Sequence, residues 1–281
     1  MLGLTLWITV LAIGALGVVA SANSLRFSRR VAREVRHMWA GTAEPLRIDR
    51  GRLEELPAPV RRYAARAVGG RELAVRTVRL RHGGTFRTKL DGAWLPIRGE
   101  QYFAADPPGF VWWGRVRIVP GLWVDARDRS VGGLGNMHVS VESSFTLADS
   151  AGAEIDQGAL LRLLGEMAWF PTALLDDRHV TWTAVDDRRA RAMLRVGGRE
   201  VTGAFEFGED YLPVTVFADR YRDLDGKAAL TPWSGHFGDY RKVDGLLVPH
   251  QVIAHWDVDG QRIPYARFQV ERLEYDATAP L

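Results

Sequence analysis

The sequence predicts a mainly β protein with a few helices, in which successive strands form an antiparallel meander. Two observations predict this fold class. From residue 72 onward, apolar residues follow a period of two, and turn signals recur every 8 to 14 residues. Short turns between neighbouring strands require antiparallel pairing, so a doubly wound parallel sheet is excluded. One helical pattern, between residues 149 and 180, divides the strands into two groups.

The chain begins with a long apolar segment. Residues 2–22 contain no charged side chain and, as a helix, would span the roughly 30 Å hydrocarbon core of a bilayer. We therefore interpret residues 1–22 as a transmembrane anchor. A signal-like segment is the alternative, because Ala20-Ser21-Ala22 has the small-x-small form of a cleavage site. No Lys or Arg precedes the apolar run, which argues against this alternative.

A basic stretch follows the apolar segment. Residues 23–51 are predicted to be a juxtamembrane stretch and linker, and residues 24–39 show roughly helical spacing of apolar side chains. The basic side chains of this stretch are Arg26, Arg29, Arg30, Arg33 and Arg36. They would bind anionic lipid headgroups, although a solvated stalk fits the pattern equally well. The expected localisation is a single-pass membrane protein, with the domain on the cytoplasmic side by the positive-inside rule.

The formal net charge of +3 is concentrated in that stretch, where five arginines face one acid, Glu34. Residues 41–281 therefore carry 32 basic and 33 acidic side chains. A nucleic-acid function needs a basic face that follows the phosphates, and this balance predicts no nucleic-acid partner. The chain has no cysteine, which excludes disulfides and thiolate metal sites.

Residues 52–281 are predicted to form a single β-rich domain of about eleven strands. The domain opens with a helix over residues 53–68, in which Pro57 and Pro59 fit only near the first turn. Strand reversals are predicted where Gly, Pro or Asp cluster: at His82-Gly83-Gly84, Asp91-Gly92, Pro107-Pro108-Gly109, Pro120-Gly121, Gly132-Gly133, Asp186-Asp187, Gly197-Gly198, Asp244-Gly245 and Asp259-Gly260.

The helical pattern between the two strand groups has one strongly apolar face. Asp156 is predicted as its N-cap, and Pro171 as its end. The apolar side chains fall at i, i+3, i+4 and i+7, on Leu160, Leu163, Leu164 and Met167. Such a helix beside a curved sheet is expected to pack on the concave side.

Several motifs resemble an uncharacterised bacterial family, classed as a domain of unknown function. Residues 56–63 (LPAPVRRY) look like its opening motif, and residues 160–175 (LLRLLGEMAWFPTALL) resemble its central signature. Residues 99–103 (GEQYF), 108–113 (PGFVWW) and 233–240 (WSGHFGDY) also match. The central signature is fairly specific, and the opening motif and these three segments are weaker. The resemblance covers residues 52–275. It implies no catalytic residue, because the family has no established activity.

The order of elements also looks like that of the lipoprotein-carrier superfamily of LolA- and LppX-like proteins. This resemblance implies a curved antiparallel half-barrel with helices on its concave face. Several members of that superfamily bind lipids on that face, and they work outside the cytoplasm. The analogy therefore implies an extracytoplasmic location, against the arginines.

No catalytic motif stands out, and no histidine spacing is typical of a metal site, so neither a metal nor another cofactor is predicted. Glu166 is a weak catalytic candidate, because burial on the central helix would raise its pKa. Pairing with Arg162, one turn earlier, is the simpler interpretation of Glu166. His236 and Asp239 form a second weak pair, which requires that the chain fold them together.

The favoured function is a membrane-anchored module that binds an apolar or amphiphilic, lipid-like ligand in the hollow of the curved sheet. The predicted ligand contacts are large apolar side chains: Trp112, Trp169, Leu160, Leu164, Met167, Phe103 and Trp233. A structural or protein-interaction domain without a cavity is the alternative. An enzyme acting on a hydrophobic small molecule through Glu166 or His236 and Asp239 is the third hypothesis. Trp112 and Trp113 are neighbours in a strand, so one of them must lie outside the concave core.

Overall fold

The computed structural model describes the backbone of residues 2–224 and 227–281, and the side chains of residues 17–224 and 227–281. The helices are α1 (Leu2–Ala40), α2 (Arg50–Glu55), α3 (Ala58–Ala67), α4 (Ala153–Glu166) and α5 (Pro171–Leu174). A 3₁₀ turn, Met167–Trp169, joins α4 to α5.

The strands before α4 are β1 (Thr77–Phe86), β2 (Leu95–Ala105), β3 (Pro108–Val119), β4 (Leu122–Val131), β5 (Leu134–Val141) and β6 (Phe145–Ser150). The strands after α5 are β7 (Val180–Ala184), β8 (Arg189–Val196), β9 (Arg199–Phe207), β10 (Pro213–Leu224), β11 (Lys227–Val243), β12 (Leu246–Val258) and β13 (Gln261–Tyr275).

All thirteen strands form one antiparallel sheet, ordered β6-β5-β4-β3-β2-β1-β13-β12-β11-β10-β9-β8-β7. The first strand, β1, lies in the middle of the sheet, and the strands β2 to β6 follow one another outward to one edge. The chain then crosses through α4 and α5 to the other edge, β7, and the strands β8 to β13 lead back to the middle, where β13 pairs with β1. The predicted fold class is confirmed, with thirteen strands instead of about eleven. The β5–β6 reversal escaped prediction because Glu142 and Ser143 supply its positive φ angles in place of glycine.

One predicted reversal is wrong. The residues expected to turn at His82-Gly83-Gly84 lie inside β1, which pairs with β2 along its whole length. The glycines permit close approach here, since a Cβ on Gly84 would overlap the carbonyl oxygen of Arg267 on β13. Glycine in this strand marks crowding and a register shift beside His82, and not a turn.

The sheet curves around α4, which packs against β4 and β5 on one arm of the sheet and against β9 and β10 on the other. The two arms meet at two glycine turns, because a Cβ on Gly197 would overlap the carbonyl oxygen of Gly132. Gly197 also has a φ of 58°, which favours glycine. The predicted position of the central helix on the concave side is confirmed.

The start of α4 differs from the prediction. The N-cap is Gly152, whereas Asp156 lies one turn inside the helix and is almost fully buried. The Asp156 carboxylate accepts hydrogen bonds from the Gly135 amide (2.7 Å) on β5 and from Arg199 Nε (3.0 Å) on β9. Asp156 therefore connects both arms of the sheet to α4.

Helix α1 packs on the convex face of the sheet. Its apolar side, which includes Phe27, Val31 and Val35, lies on Tyr102 and Val111 of β2 and β3. Trp39 adds a hydrogen bond of 2.9 Å from its indole to the Phe103 carbonyl. This packing gives the apolar side of residues 24–39 a protein partner, where the sequence predicted lipid headgroups or solvent.

The expected single-pass membrane localisation is corrected. Among the described residues, no helix has both the length and the apolarity that crossing a membrane requires. Most of the proposed anchor, residues 1–16, lies outside the described side chains. The basic stretch is also engaged elsewhere, since Arg30 pairs with Glu34, and Glu34 pairs with Arg127 of β4.

The predicted helix over residues 53–68 is two helices. Asp49 caps α2 through its side chain, and the chain turns at Leu56 and Pro57 before α3 begins. The residues before α2 were expected to be a plain linker, but Arg47 forms a β-bridge with Leu73. The bridge joins the segment before α2 to the segment before β1.

Candidate functional site

The central helix carries a buried ionic network on its sheet-facing side. Arg162 donates to Glu166 (2.8 Å) and to Asp128 of β4 (2.8 Å), and Gln101 of β2 donates to Glu166 (2.5 Å). Burial raises the pKa of the Glu166 carboxyl above its ordinary value, although Arg162 opposes the shift. Glu166 therefore pairs with Arg162, the partner that the sequence predicted.

The contacts of Glu166 do not suit this side chain to act as a catalytic acid or base. Both carboxylate oxygens of Glu166 are occupied, one by Arg162 and the other by Gln101. Glu166 also lines neither of the two large cavities described below. An acid held in this way stabilises the docking of α4 and has no open route to a substrate.

The second catalytic candidate, His236 with Asp239, is not brought together. His236 faces Thr215 Oγ1 (3.3 Å) and packs edge-on against His255, with ring centroids 4.7 Å apart. Asp239 is exposed and pairs with Arg241 at 2.6 Å. Burial and the nearby Arg262 lower the pKa of His236. Among the described residues, no group of three or more His, Asp or Glu side chains could hold a metal ion.

The predicted ligand contacts converge on one core. Phe103, Leu160, Leu164 and Met167 are fully buried, and Trp112, Trp169 and Trp233 are nearly so. They pack together with residues from both arms of the sheet. The centre of the hollow is thus filled by side chains, and the expectation that these seven contact a ligand stays a prediction.

Trp112 and His82 illustrate how tightly the hollow is filled. Their rings are nearly coplanar, at 3°, and Trp112 Nε1 donates to His82 Nε2 at 2.9 Å. The two rings lie flat on the sheet over Gly114 and Gly99, where a Cβ would overlap them. Trp113 points to the convex face, so the prediction that one of the two tryptophans leaves the concave core is confirmed.

A cavity of about 870 Å³ opens where α4 begins and the two arms meet; we call it the arm cavity. Its lining mixes apolar side chains, Leu134, Leu160 and Val201 among them, with the polar side chains Arg129, Asn136, Asp149, Asp156 and Arg199. Several of these groups already pair with each other, as Asp156 does with Arg199.

A second cavity, of about 560 Å³, lies between α2 and the α5–β7 segment; we call it the motif cavity. Apolar side chains from α2, from β7 and from the residues that follow α2, α3 and α5 line it: Leu53, Leu56, Val68, Leu175, Val180 and Trp182. Four of these belong to the buried core, and the other two pack against it. The motif cavity is therefore an extension of the hydrophobic core toward the surface.

Charged residues surround the opening of the motif cavity. Arg52 of α2 pairs with Asp177, which follows α5, and Arg178 pairs with Asp176 and with Asp106 at 2.5 Å. Arg47 pairs with Glu72 at 3.0 Å. The rim therefore carries both positive and negative side chains, joined in surface ion pairs. Such pairs add little stability, so other charged groups can replace one of the partners.

The motif cavity is also where the central signature meets the opening motif of the family. Leu56 and Pro57 open the LPAPVRRY motif, and Thr172 and Leu175 close the central signature, and all four line this cavity. The motifs are about a hundred residues apart in the chain. Their convergence could not be seen in the sequence, because it depends on where α2 and the α5–β7 segment lie in the fold.

Fold and cavities together define a mainly β protein whose single curved sheet encloses a helix and leaves an apolar cavity at one end. A family model matches residues 47–268, and the chain belongs to that family, a Family of unknown function (DUF6544). The family resemblance predicted from the motifs is confirmed. No curated protein matches the chain.

Two solved structures show a distant similarity. A domain assigned as an outer membrane lipoprotein-sorting protein, from Vibrio parahaemolyticus, is 11% identical with a TM-score of 0.38. That match covers 80% of this chain and 94% of the other. A LolA superfamily protein from Nitrosomonas europaea is 7% identical with a TM-score of 0.36, covering 81% and 93% of the two chains. The predicted remote similarity is thus found, and neither likeness says what this chain binds.

Proposed function

We propose that this protein binds an apolar or amphiphilic small molecule, with the apolar part of the ligand in the motif cavity. One observation carries the proposal: the two family motifs converge on a cavity of about 560 Å³ that six large apolar side chains line. Ligand pockets in proteins typically measure roughly 300–1,000 Å³ and are mostly apolar. The motif cavity has this size and this lining.

The rim fits an amphiphile whose polar end stays near solvent. The ion pairs of Arg52 and Arg178 are partly exposed, so a polar group can exchange with them at little cost. Helix α2 forms one wall of the cavity and has only six residues, so it can shift without disturbing the sheet. The ligand would gain free energy mainly from apolar surface removed from water.

The two alternative functions receive less support. A structural domain without a cavity does not account for a core that opens toward the surface between α2 and α5. An enzyme acting through Glu166 or through His236 and Asp239 requires groups that converge on a pocket, and Glu166 is bonded inside the core while His236 and Asp239 have separate partners.

The test fills the cavity without removing core packing. Ala74 lines the motif cavity and is half-buried, so Ala74→Phe places a ring inside it. We expect isothermal titration calorimetry with laurate to show binding by the full chain, and at least a tenfold loss of affinity in Ala74→Phe. A tenfold loss corresponds to about 1.4 kcal/mol.

The matched control is Ala65→Phe, on the exposed side of α3. It adds the same ring outside the cavity and should bind laurate as the unmodified chain does. Thermal unfolding of both variants checks that the fold is intact. The proposal fails if the unmodified chain does not bind laurate, or if Ala74→Phe binds it with unchanged affinity.

A further inference from the structure

Strand β10 presents two arginines side by side on the concave face, away from both large cavities. Arg220 and Arg222 alternate with Tyr221 along the strand, so their side chains point to the same face, with Cα atoms about 7 Å apart. Ala218 of the same strand pairs with Trp233 of β11, and Trp233 pairs with Trp256 of β12. The two arginines therefore lie beside a row of aromatic side chains.

The aromatic side chains form a continuous floor under the guanidinium groups. Arg220 lies 4.8 Å from the ring centroid of Trp233, and Arg222 lies 6.0 Å from that of Trp256. Trp256 stacks on Tyr265, with centroids 5.9 Å apart and an angle of 24°. Trp233 Nε1 donates to the Tyr265 hydroxyl at 2.9 Å, which holds the floor in place.

Neither guanidinium has a carboxylate partner among the described residues. The Nε atoms of Arg220 and Arg222 are both buried and have no hydrogen-bond partner there. Of the other arginines that stack on tryptophan, Arg115 pairs with Asp125, and Arg162 pairs with Asp128 and Glu166. Arg87, on Trp94, also has a buried Nε without a partner, but its guanidinium donates to the Leu90 carbonyl at 3.2 Å. Buried donors without partners are rare in folded proteins and call for an explanation.

We infer that Arg220, Arg222, Trp233, Trp256 and Tyr265 form a second binding site, for an anionic group attached to a flat apolar body. A guanidinium pairs with carboxylate or phosphate through two parallel hydrogen bonds, which would use the free donors. Trp256 and Tyr265, which are half-buried, would take up the flat part of the ligand by stacking, and Trp233 would support them from the core.

The test uses naphthyl phosphate as the probe, with tryptophan fluorescence of the full chain as the readout. We expect saturable quenching, with binding at least tenfold tighter than that of inorganic phosphate or of naphthol, because each of these lacks one half of the ligand. The double variant R220Q/R222Q should lose at least tenfold in affinity. It retains most of the length of both side chains, and its thermal unfolding should match that of the unmodified chain.

The matched control is R87Q, which removes a guanidinium stacked on Trp94 at 4.4 Å elsewhere on the sheet. R87Q should bind naphthyl phosphate as the unmodified chain does. Unchanged affinity in R220Q/R222Q overturns the inference, and so does equal affinity for inorganic phosphate, because the aromatic floor would then contribute nothing.

Two further measurements identify the source of the anion and separate the two sites. Soluble short-chain phosphatidylglycerol competing with naphthyl phosphate assigns the anionic group to a lipid headgroup, and absence of competition assigns it to a free aromatic anion. Laurate binding should persist in R220Q/R222Q, and naphthyl phosphate binding should persist in Ala74→Phe. Failure at one site therefore leaves the other site testable.

Discussion

Strand β4 carries two buried aspartates that lie on opposite faces of the sheet and are held in different ways. Asp125, on the convex face, accepts hydrogen bonds from four side chains of β3, β4 and the β5–β6 turn: Trp113, Arg115, Trp123 and Ser143. Asp128, on the concave face, is held by Arg162 of α4. The convex network is local to three neighbouring strands, whereas the concave network forms only when α4 docks.

The comparison shows how the two faces are stabilised. On the convex side, Asp125 organises its own hairpin, and α1 packs over the result, with Ser24 accepting from Arg115 at 2.8 Å. On the concave side, apolar packing dominates, and the ions serve to orient one helix. Loss of the local network should therefore cost more than loss of the long-range one.

The largest effect is expected from Asp125→Ala. This carboxylate is completely buried, and its removal leaves two indole N–H groups without an acceptor and takes away the ionic partner of Arg115, which keeps only its hydrogen bond to Ser24 among the described contacts. We expect a loss of about 3–5 kcal/mol in the free energy of unfolding. Urea unfolding of the full chain measures it.

The companion variant, Asp128→Ala, sharpens the comparison. Arg162 keeps Glu166 as a partner, so the expected loss is only about 1–3 kcal/mol. Equal losses in the two variants, or a larger loss for Asp128→Ala, would contradict the distinction between a local and a long-range network.

An intermediate effect is expected from Gly114→Ala on the concave face. A Cβ at this position would overlap the Trp112 ring, which lies flat on the strand. Forcing this ring to move should cost about 1–3 kcal/mol in unfolding free energy, again measured in urea. Gly70→Ala is the control, because nothing lies within 4 Å of a Cβ there, and its effect should be close to zero or slightly stabilising.

The smallest effect concerns pH. Burial lowers the pKa of His82 from 6.5 to about 3, so this imidazole stays neutral in the folded chain. Below about pH 6.5 the unfolded chain takes up a proton at this residue that the folded chain does not, so stability falls with falling pH. One such group contributes a slope of at most about 1.4 kcal/mol per pH unit.

His82→Gln should reduce this slope between about pH 6.5 and about pH 4, as followed by urea unfolding at several pH values. A slope remains, because burial also lowers the pKa of His255, to about 4. An unchanged slope in His82→Gln would show that His82 does not titrate as its burial implies.

The two motifs that line the motif cavity were recognised in the sequence, but the cavity that they form together was not predicted. The LPAPVRRY motif and the central signature were both recognised, yet each was interpreted as a packing helix. The helix break at Leu56 and Pro57 and the Asp49 cap were the available signals that α2 is separate from α3. What they could not show is that α2 faces the α5–β7 segment across the motif cavity, since that arrangement joins segments far apart in the chain.

The sequence by itself determined the alternation of the strands, most of their reversals and the apolar face of the central helix. These features depend on residues close to one another in the chain: Gly and Asp-Gly at turns, and periods of two or 3.6 in apolar side chains. Tertiary structure alone decided that α1 covers the convex face, that the seven predicted ligand contacts fill the core, and that a cavity remains at α2. Each of these depends on which surfaces meet and how much space is left between them, and no local pattern of residues records that.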